Sequence, residues 1–388
     1  MNPNLHFTSL DDLLHCDAAK MRARLDARHP SFQKVISGEQ PVILYPAARM
    51  ARHAAGELRR MGANVLGFGD GNASLWGAKV DGLPVLTLDQ IVERHKDAAV
   101  FVCSVIYDSA ISDKLTARGC ESVVPVTYLI HKLPDVFLSR DYKQAFDHAV
   151  NVEHHAAMRQ AYNALGDEVS RTVFRAKLEY YLTFDKQLLN AIESPNPIYF
   201  DRDIVPLLPA ESFVDGGAFT GDTLTDYLRE CAGKFSAYYA FEPDPANFEK
   251  LKTAAASDPR IHPLKFGLSE KSGTLRFLST STVDAKFLRD DEPGGESLNV
   301  LSLDDFFSTR PPPTLIKMDI EGSEACALNG AARTIKQHAP RLAISIYHYP
   351  TDLWELPLLM KNLNPDYRLS IRHYGKELAD TVCYAVKA

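Results

Sequence analysis

The stretch Leu315-Ile-Lys-Met-Asp-Ile-Glu-Gly-Ser-Glu (315–324) sets three carboxylates, Asp319, Glu321 and Glu324, just past an apolar run. A carboxylate at a strand end can position a hydroxyl, take its proton, or bind a divalent cation through oxygen. Asp319 and Glu321 share a face if extended geometry continues past the strand. The plainer reading of Glu321 and Glu324 is that acids favour a helix N-terminus. Ile344-Ser-Ile-Tyr-His-Tyr-Pro (344–350) puts His348 at the next strand end, where an imidazole suits general-base work near neutral pH. Asp319, Glu321 and His348 are therefore the candidate catalytic residues, with Asp319 or His348 taking a proton. His373 lies on a closing hairpin and could face the same site, whereas His154-His155 reads as surface. The six cysteines form no CxxC pair, and no metal site is expected from them.

A second chemical stretch is Phe213-Val-Asp-Gly-Gly-Ala-Phe-Thr-Gly-Asp-Thr (213–223), an apolar strand running through glycines into a helix. Ligands in doubly wound sheets sit beyond the carboxyl ends of the strands. Gly216, Gly217 and Gly221 allow close backbone approach there. The pattern is D-G-G-x-x-x-G-D-T, not the dinucleotide G-x-G-x-x-G. A pyrophosphate would meet Asp215 and Asp222 with like charge. A ligand with a cationic sulfonium and ammonium is favoured instead, and S-adenosylmethionine is such a ligand. Tyr239-Ala-Phe-Glu-Pro-Asp-Pro (239–245) ends the next strand with Glu242, placed to accept both ribose hydroxyls of an adenosine. Backbone near Gly267, in Phe266-Gly-Leu-Ser-Glu-Lys-Ser-Gly (266–273), could flank the adenine, although the same residues make an ordinary hairpin. The cofactor-binding candidates are Asp215, Gly217, Gly221, Asp222, Glu242 and Gly267.

These residues need elements to hold them. The strands Ser212–Asp215, Ala237–Glu242, Ile261–Phe266, Leu315–Asp319 and Leu342–His348 alternate with helical stretches. A final pair, Arg368–Tyr374 and Thr381–Val386, turns at Gly375. This predicts a doubly wound sheet with a reversed last strand, the class I methyltransferase arrangement, over 201–388. Residues 41–134 read as a smaller Rossmann-like α/β domain, with strands at 41–45, 64–68, 99–103 and 122–125 and helices at 49–60, 89–95 and 108–118. Residues 135–200 read as a helical connector packing on the next domain and ending at Ser194-Pro-Asn-Pro. Residues 1–40 read as a partly helical segment, with Ser9 as a cap before Leu10, Leu13 and Leu14.

Taken together, 212–223, 241–251 and 315–330 resemble successive signatures of the FkbM family of S-adenosylmethionine-dependent methyltransferases. They match its D-x-G-A-x-x-G-D-T turn, its F-E-P-x-P strand end and its L-K-x-D-x-E-G-x-E-x-x-x-L-x-G-A segment, here with Ile316 before Lys317. The likeness covers about half the chain, residues 195–386, and departs from the family at Gly216. It implies O-methylation of a sugar or secondary-metabolite hydroxyl, with Asp215, Gly217, Gly221 and Glu242 binding cofactor and Asp319 and Glu321 in the site. The first domain resembles nucleotide-binding domains found beside sugar-modifying enzymes. Tyr45-Pro-Ala-Ala-Arg-Met-Ala-Arg (45–52) replaces their glycines, while Asp70 keeps their acidic position.

The 388 residues carry 43 Lys+Arg against 50 Asp+Glu, a net charge of -7 that argues against a large nucleic-acid footprint. No apolar run reaches the ~18 residues of a membrane span, and Asp11, Asp12 and Asp17 spoil a secretory signal. A cytoplasmic enzyme with a small-molecule or glycan acceptor is expected, with no nucleic-acid or membrane partner, and homo-oligomerisation left open. The rival readings are an NAD- or nucleotide-sugar-binding oxidoreductase or adaptor built on the first domain, and a non-catalytic cofactor-binding scaffold.

Overall fold

The structure is a computed structural model that describes residues 7, 9–16, 23, 25–104, 107–137, 152–183, 185–278, 286–287, 295–376 and 378–387. Among these, two compact units form: residues 152–177 and 189–387 make one, and residues 7–137 with 178–183 and 185–188 make the other. This departs from the expected connector at 135–200. Its described residues are shared out between the units, and its segment 138–151 lies outside the described residues.

The N-terminal unit is built on strands β1 (Val42–Tyr45), β2 (Val65–Gly69), β3 (Lys79–Val80), β4 (Leu83–Leu86), β5 (Ala99–Val102) and β6 (Val123–Val124), in the order β3-β4-β2-β1-β5-β6. All pairings are parallel except β3 with β4. The central β1 and β5 are buried along their whole length, so they read as unbroken apolar runs. The helix Arg49–Arg60 buries Ala51, Ala54, Ala55 and Leu58, one stripe at helical spacing. Ser9 accepts a hydrogen bond from the Asp12 N–H and caps the helix Leu10–Leu14. Asp70, the acidic residue after β2, is engaged in its own turn: its two oxygens accept from the Ala47 and Asn72 N–H groups, at 2.9 and 2.8 Å.

The larger unit carries a seven-stranded sheet of β7 (Glu211–Gly216), β8 (Phe235–Phe241), β9 (Ile261–Leu264), β14 (Leu315–Met318), β15 (Arg341–Ser345), β16 (Tyr367–His373) and β17 (Thr381–Lys387). Its order is β16-β17-β15-β14-β7-β8-β9, with β17 antiparallel to both neighbours and the other pairings parallel. The reversed last strand is thus present, and the chain has the α/β class I methyltransferase fold. Strand order reverses between β7 and β14, the crevice where such sheets bind ligands. An aromatic group under β7 fixes this edge: Phe213 stacks on Tyr227 at 4.9 Å, and Phe200 and Tyr238 pack around them.

A second sheet was not anticipated. The strands β10 (Gly267–Leu268), β11 (Gly273–Leu278), β12 (Lys286–Phe287) and β13 (Glu296–Leu301) pair in the order β10-β13-β11-β12. Gly267 therefore belongs to a ladder with Val300, not to a local hairpin alone. Residues 152–177 pack on β16: the Gly166 N–H donates to the Leu369 carbonyl and the Ile371 N–H to Ser170 Oγ. Among the described residues no helix is long and apolar enough to cross a membrane.

Candidate active site

A cavity of about 290 Å³ opens beyond the carboxyl ends of β7, β8 and β14. Among the expected site residues, Gly217, Asp222, Glu242, Gly267, Asp319 and Glu321 line it. Asp215, Gly221 and His348 are not among the lining residues.

The glycine turn explains the first group. Gly217 has φ 74°, and a Cβ there would lie 1.9 Å from the Asp319 carbonyl oxygen. No other residue fits without moving the backbone of the Asp319 segment. The Gly217 and Ala218 N–H groups both donate to the Phe241 carbonyl, and the Asp319 N–H donates to the Gly216 carbonyl. Three strand ends are thereby tied backbone to backbone. Gly221, expected to touch a cofactor, packs against the helix Pro245–Ala255 instead: its Cβ would meet Ala254 Cβ at 3.1 Å.

Asp215 also departs from its expected role, because it is fully buried and its carboxylate is spent on protein partners. The register of β14 on β7 sets Lys317 opposite Asp215, and Nζ donates to Oδ1 at 2.8 Å. Tyr238 OH donates to Oδ2 at 2.5 Å. The same ammonium donates to the Gly216 and Gly217 carbonyls at 3.0 and 2.8 Å. A buried ammonium needs all its donors used, and these three acceptors lock the turn. The signal was present in the sequence as one lysine inside Leu-Ile-Lys-Met, a strand buried at every position.

Glu242 follows β8 and is 6% exposed. Its Oε2 accepts from the Phe219 N–H and its Oε1 from the Asp244 N–H, both at 2.9 Å. Burial pushes its carboxyl up to about 7 against the pull of those two donors. Burial likewise raises Asp222. Nearby, Asn247 lines the cavity almost fully buried, and its Oδ1 makes no hydrogen bond among the described residues.

On the opposite rim, Asp319 accepts from Tyr199 OH on Oδ2 at 2.8 Å and from Tyr347 OH on Oδ1 at 2.9 Å. Burial alone would raise this carboxyl, but the His348 and Lys317 charges and the two phenols hold it below its ordinary range. Strand geometry does not continue past Met318: Glu321 adopts φ 55° and Gly322 φ 88°. Asp319 and Glu321 meet around His348 instead. His348 Nε2 lies 3.4 Å from Asp319 Oδ1 and 3.5 Å from Glu321 Oε2, and Nδ1 lies 3.1 Å from Glu324 Oε1. Burial opposes a charged ring, but the three carboxylates win and lift His348 to about 10. The three carboxylates thus favour the protonated ring, the form that has no lone pair with which to take a proton.

His373 does not join this group. It is buried, its Nδ1 lies 2.9 Å from Thr381 Oγ1 on the paired strand, and burial drives it down to about 2. Sequence reasoning missed Tyr199, which sits in the tail of the expected connector, and Asp380 in the final hairpin, which also lines the cavity.

Residues 215–378 match the family model of the methyltransferase FkbM domain. Hexuronic acid methyltransferase AglP of Haloferax volcanii is 25% identical over 161 residues, which is 40% of this chain and 67% of that protein. The crystal structure of methyltransferase FkbM from Methylobacillus flagellatus KT is similar with a TM-score of 0.69 at 24% identity, over 95% of this chain and 100% of that one, a likeness of fold. The chain carries a methyltransferase domain of the FkbM family over residues 215–378.

Proposed function

We propose that this chain transfers the methyl group of S-adenosylmethionine to a hydroxyl of a sugar or other small-molecule acceptor in the cavity beyond β7, β8 and β14. The observation that carries the reading is the division of that cavity, in an FkbM domain, between Glu242 on one side and Asp319 with Glu321 on the other. The lining suits the cofactor chemically. Each Glu242 oxygen accepts one backbone N–H and keeps a lone pair for a ribose hydroxyl. Asp222 offers negative charge to the cationic methionyl end, Gly217 gives backbone clearance, and the unpaired Asn247 Oδ1 offers an acceptor to a ligand N–H. When bound, S-adenosylmethionine supplies an electrophilic methyl on a good leaving group.

The chain's own share is orientation and proton handling. Asp319, steadied by two tyrosines, accepts the hydrogen bond of the acceptor hydroxyl and takes its proton as the C–O bond forms. Glu321 flanks the same position. A hydroxylated sugar is favoured as acceptor because a relative is a hexuronic acid methyltransferase. The rival reading through the N-terminal sheet lacks such support, since both Asp70 oxygens are committed to backbone N–H groups.

The test is transfer of labelled methyl from S-adenosylmethionine to a panel of neutral hexoses, hexuronic acids and glycans. Labelled product with wild type, and kcat reduced at least 100-fold in Asp319→Asn with S-adenosylhomocysteine affinity kept, supports the assignment. Undiminished kcat in that variant removes Asp319 as the base. S-adenosylhomocysteine binding with no product across the panel overturns the acceptor class.

A further inference from the structure

Asn247 sits in the cavity wall on the first turn of the helix Pro245–Ala255 and is 1% exposed. Its Oδ1 accepts no hydrogen bond among the described residues. A buried amide oxygen left without a donor is costly, and native structures leave few such atoms. The residue is also held in a fixed relation to Glu242. The Asn247 N–H donates to Asp244 Oδ1, and the Asp244 N–H donates to Glu242 Oε1, both at 2.9 Å. Two hydrogen bonds thus link the Asn247 backbone to the carboxylate assigned to the ribose.

S-adenosylmethionine brings four groups with an N–H or O–H to donate: two ribose hydroxyls, the α-ammonium and the adenine 6-amino group. In the reading above, each Glu242 oxygen takes one hydroxyl and Asp222 faces the cationic methionyl end. The 6-amino group is then the donor with no side chain assigned to it, and Asn247 is a cavity residue with an unused acceptor. The two groups match chemically. An adenine edge sets its 6-amino donor beside a ring-nitrogen acceptor, and a side-chain amide pairs with that edge through one acceptor and one donor. Pro243, Phe266 and Leu268 line the same cavity and offer apolar surface to the faces of a purine.

We propose that Asn247 selects adenine as the base of the cofactor, its side-chain amide pairing with the 6-amino edge of the purine. The proposal rests on the methyl-transfer reading and adds a specificity that this reading does not itself require. A site built to pair with an N–H rejects the analogue that lacks it, because the buried partner is left unpaired. The amide moves no proton and touches no reacting atom, so its effect is on which ligand binds.

The experiment is calorimetric titration of the full chain with two ligands, S-adenosylhomocysteine and its analogue carrying hydrogen in place of the 6-amino group. Wild type should bind the analogue at least ten-fold more weakly. Asn247→Leu should bind S-adenosylhomocysteine at least ten-fold more weakly than wild type does, with little further loss for the analogue, so the preference between the two collapses. Asn247→Ser, with a shorter polar side chain, should lose the preference in the same way and keeps the test decisive if Asn247→Leu does not fold. Equal affinity of wild type for the two ligands overturns the proposal and leaves the cofactor reading standing. So does a variant that weakens both ligands by the same factor, which assigns Asn247 to the wall or the ribose instead of the base. A folded wild type that binds neither ligand refutes the cofactor reading, and the proposal with it.

Discussion

Replacing Lys317 by methionine should destabilise the larger unit severely, because among the described residues the lysine is the one countercharge bonded to the buried Asp215. The Lys317 and Asp215 side chains are 2% and 0% exposed, and their ion pair is 2.8 Å long. In the variant Asp215 keeps, among the described residues, only the Tyr238 hydroxyl, and the Gly216 and Gly217 carbonyls each lose a donor. Breaking a buried pair from one side costs about 3–5 kcal/mol. The double variant Asp215→Asn, Lys317→Met removes both charges and should be less destabilised than the single variants summed, by about 1–3 kcal/mol. The sequence holds two tryptophans. Trp354 is fully buried in the larger unit, and Trp76 lies in the other. Urea unfolding in a Trp76→Phe background, followed by fluorescence, therefore reports the larger unit alone. With a slope of ~3 kcal/mol/M for a unit of this size, the midpoint should fall by about 1–2 M. A fall below about 0.3 M, or a double variant worse than the sum, would refute the claim that this pair holds the turn.

Three further outcomes follow from the site. Glu242, raised in the folded protein from 4.5 to about 7, contributes stability below pH 4.5 that is lost as pH rises through 7. The loss amounts to about 3 kcal/mol at most. Urea midpoints should fall across that window, more steeply in wild type than in Glu242→Gln. A ligand that needs the ionised carboxylate should also bind more tightly at pH 8 than at pH 6, releasing a proton at pH 6, which calorimetry in two buffers measures; pH-independent affinity would count against the ribose assignment. Gly217→Ala forces a methyl into the space of the Asp319 carbonyl oxygen, so S-adenosylhomocysteine affinity should drop at least ten-fold, and wild-type affinity would show that the turn tolerates a Cβ. Tyr199→Phe removes one of two phenols from Asp319 and should cost about 1.5–3 kcal/mol in urea unfolding, an unchanged midpoint being the contrary result.

Much of the larger unit was legible because its central strands β7, β14 and β15 are almost wholly buried and read as apolar runs ending in chemistry. Phe213–Gly216, Tyr239–Glu242 and Leu315–Asp319 announced both the sheet and the side of it that matters. What the sequence concealed was direction and charge state. Asp215 reads as a ligand-facing acid, and only the β7–β14 register reveals that Lys317 claims it. Gly221 reads as a cofactor glycine, but its clearance serves the neighbouring helix. His348 reads as a base because isolated imidazole titrates near neutrality, and the sequence does not show the three carboxylates that surround it, two from another strand end and one from the helix Glu324–Asn329. Tyr199 had no local signal at all, since its partner Asp319 is 120 residues away. The small sheet β10–β13 escaped because Glu296–Leu301 is short and half polar, and its pairing with Gly273–Leu278 is non-local.

The most direct test of the account is calorimetric titration of the full chain with S-adenosylmethionine and S-adenosylhomocysteine, on wild type and Glu242→Ala. The account predicts one site per chain for both ligands in wild type, and binding lost or weakened at least 100-fold in a folded Glu242→Ala. A folded wild type that binds neither ligand, or a variant that binds them as well as wild type, would contradict it.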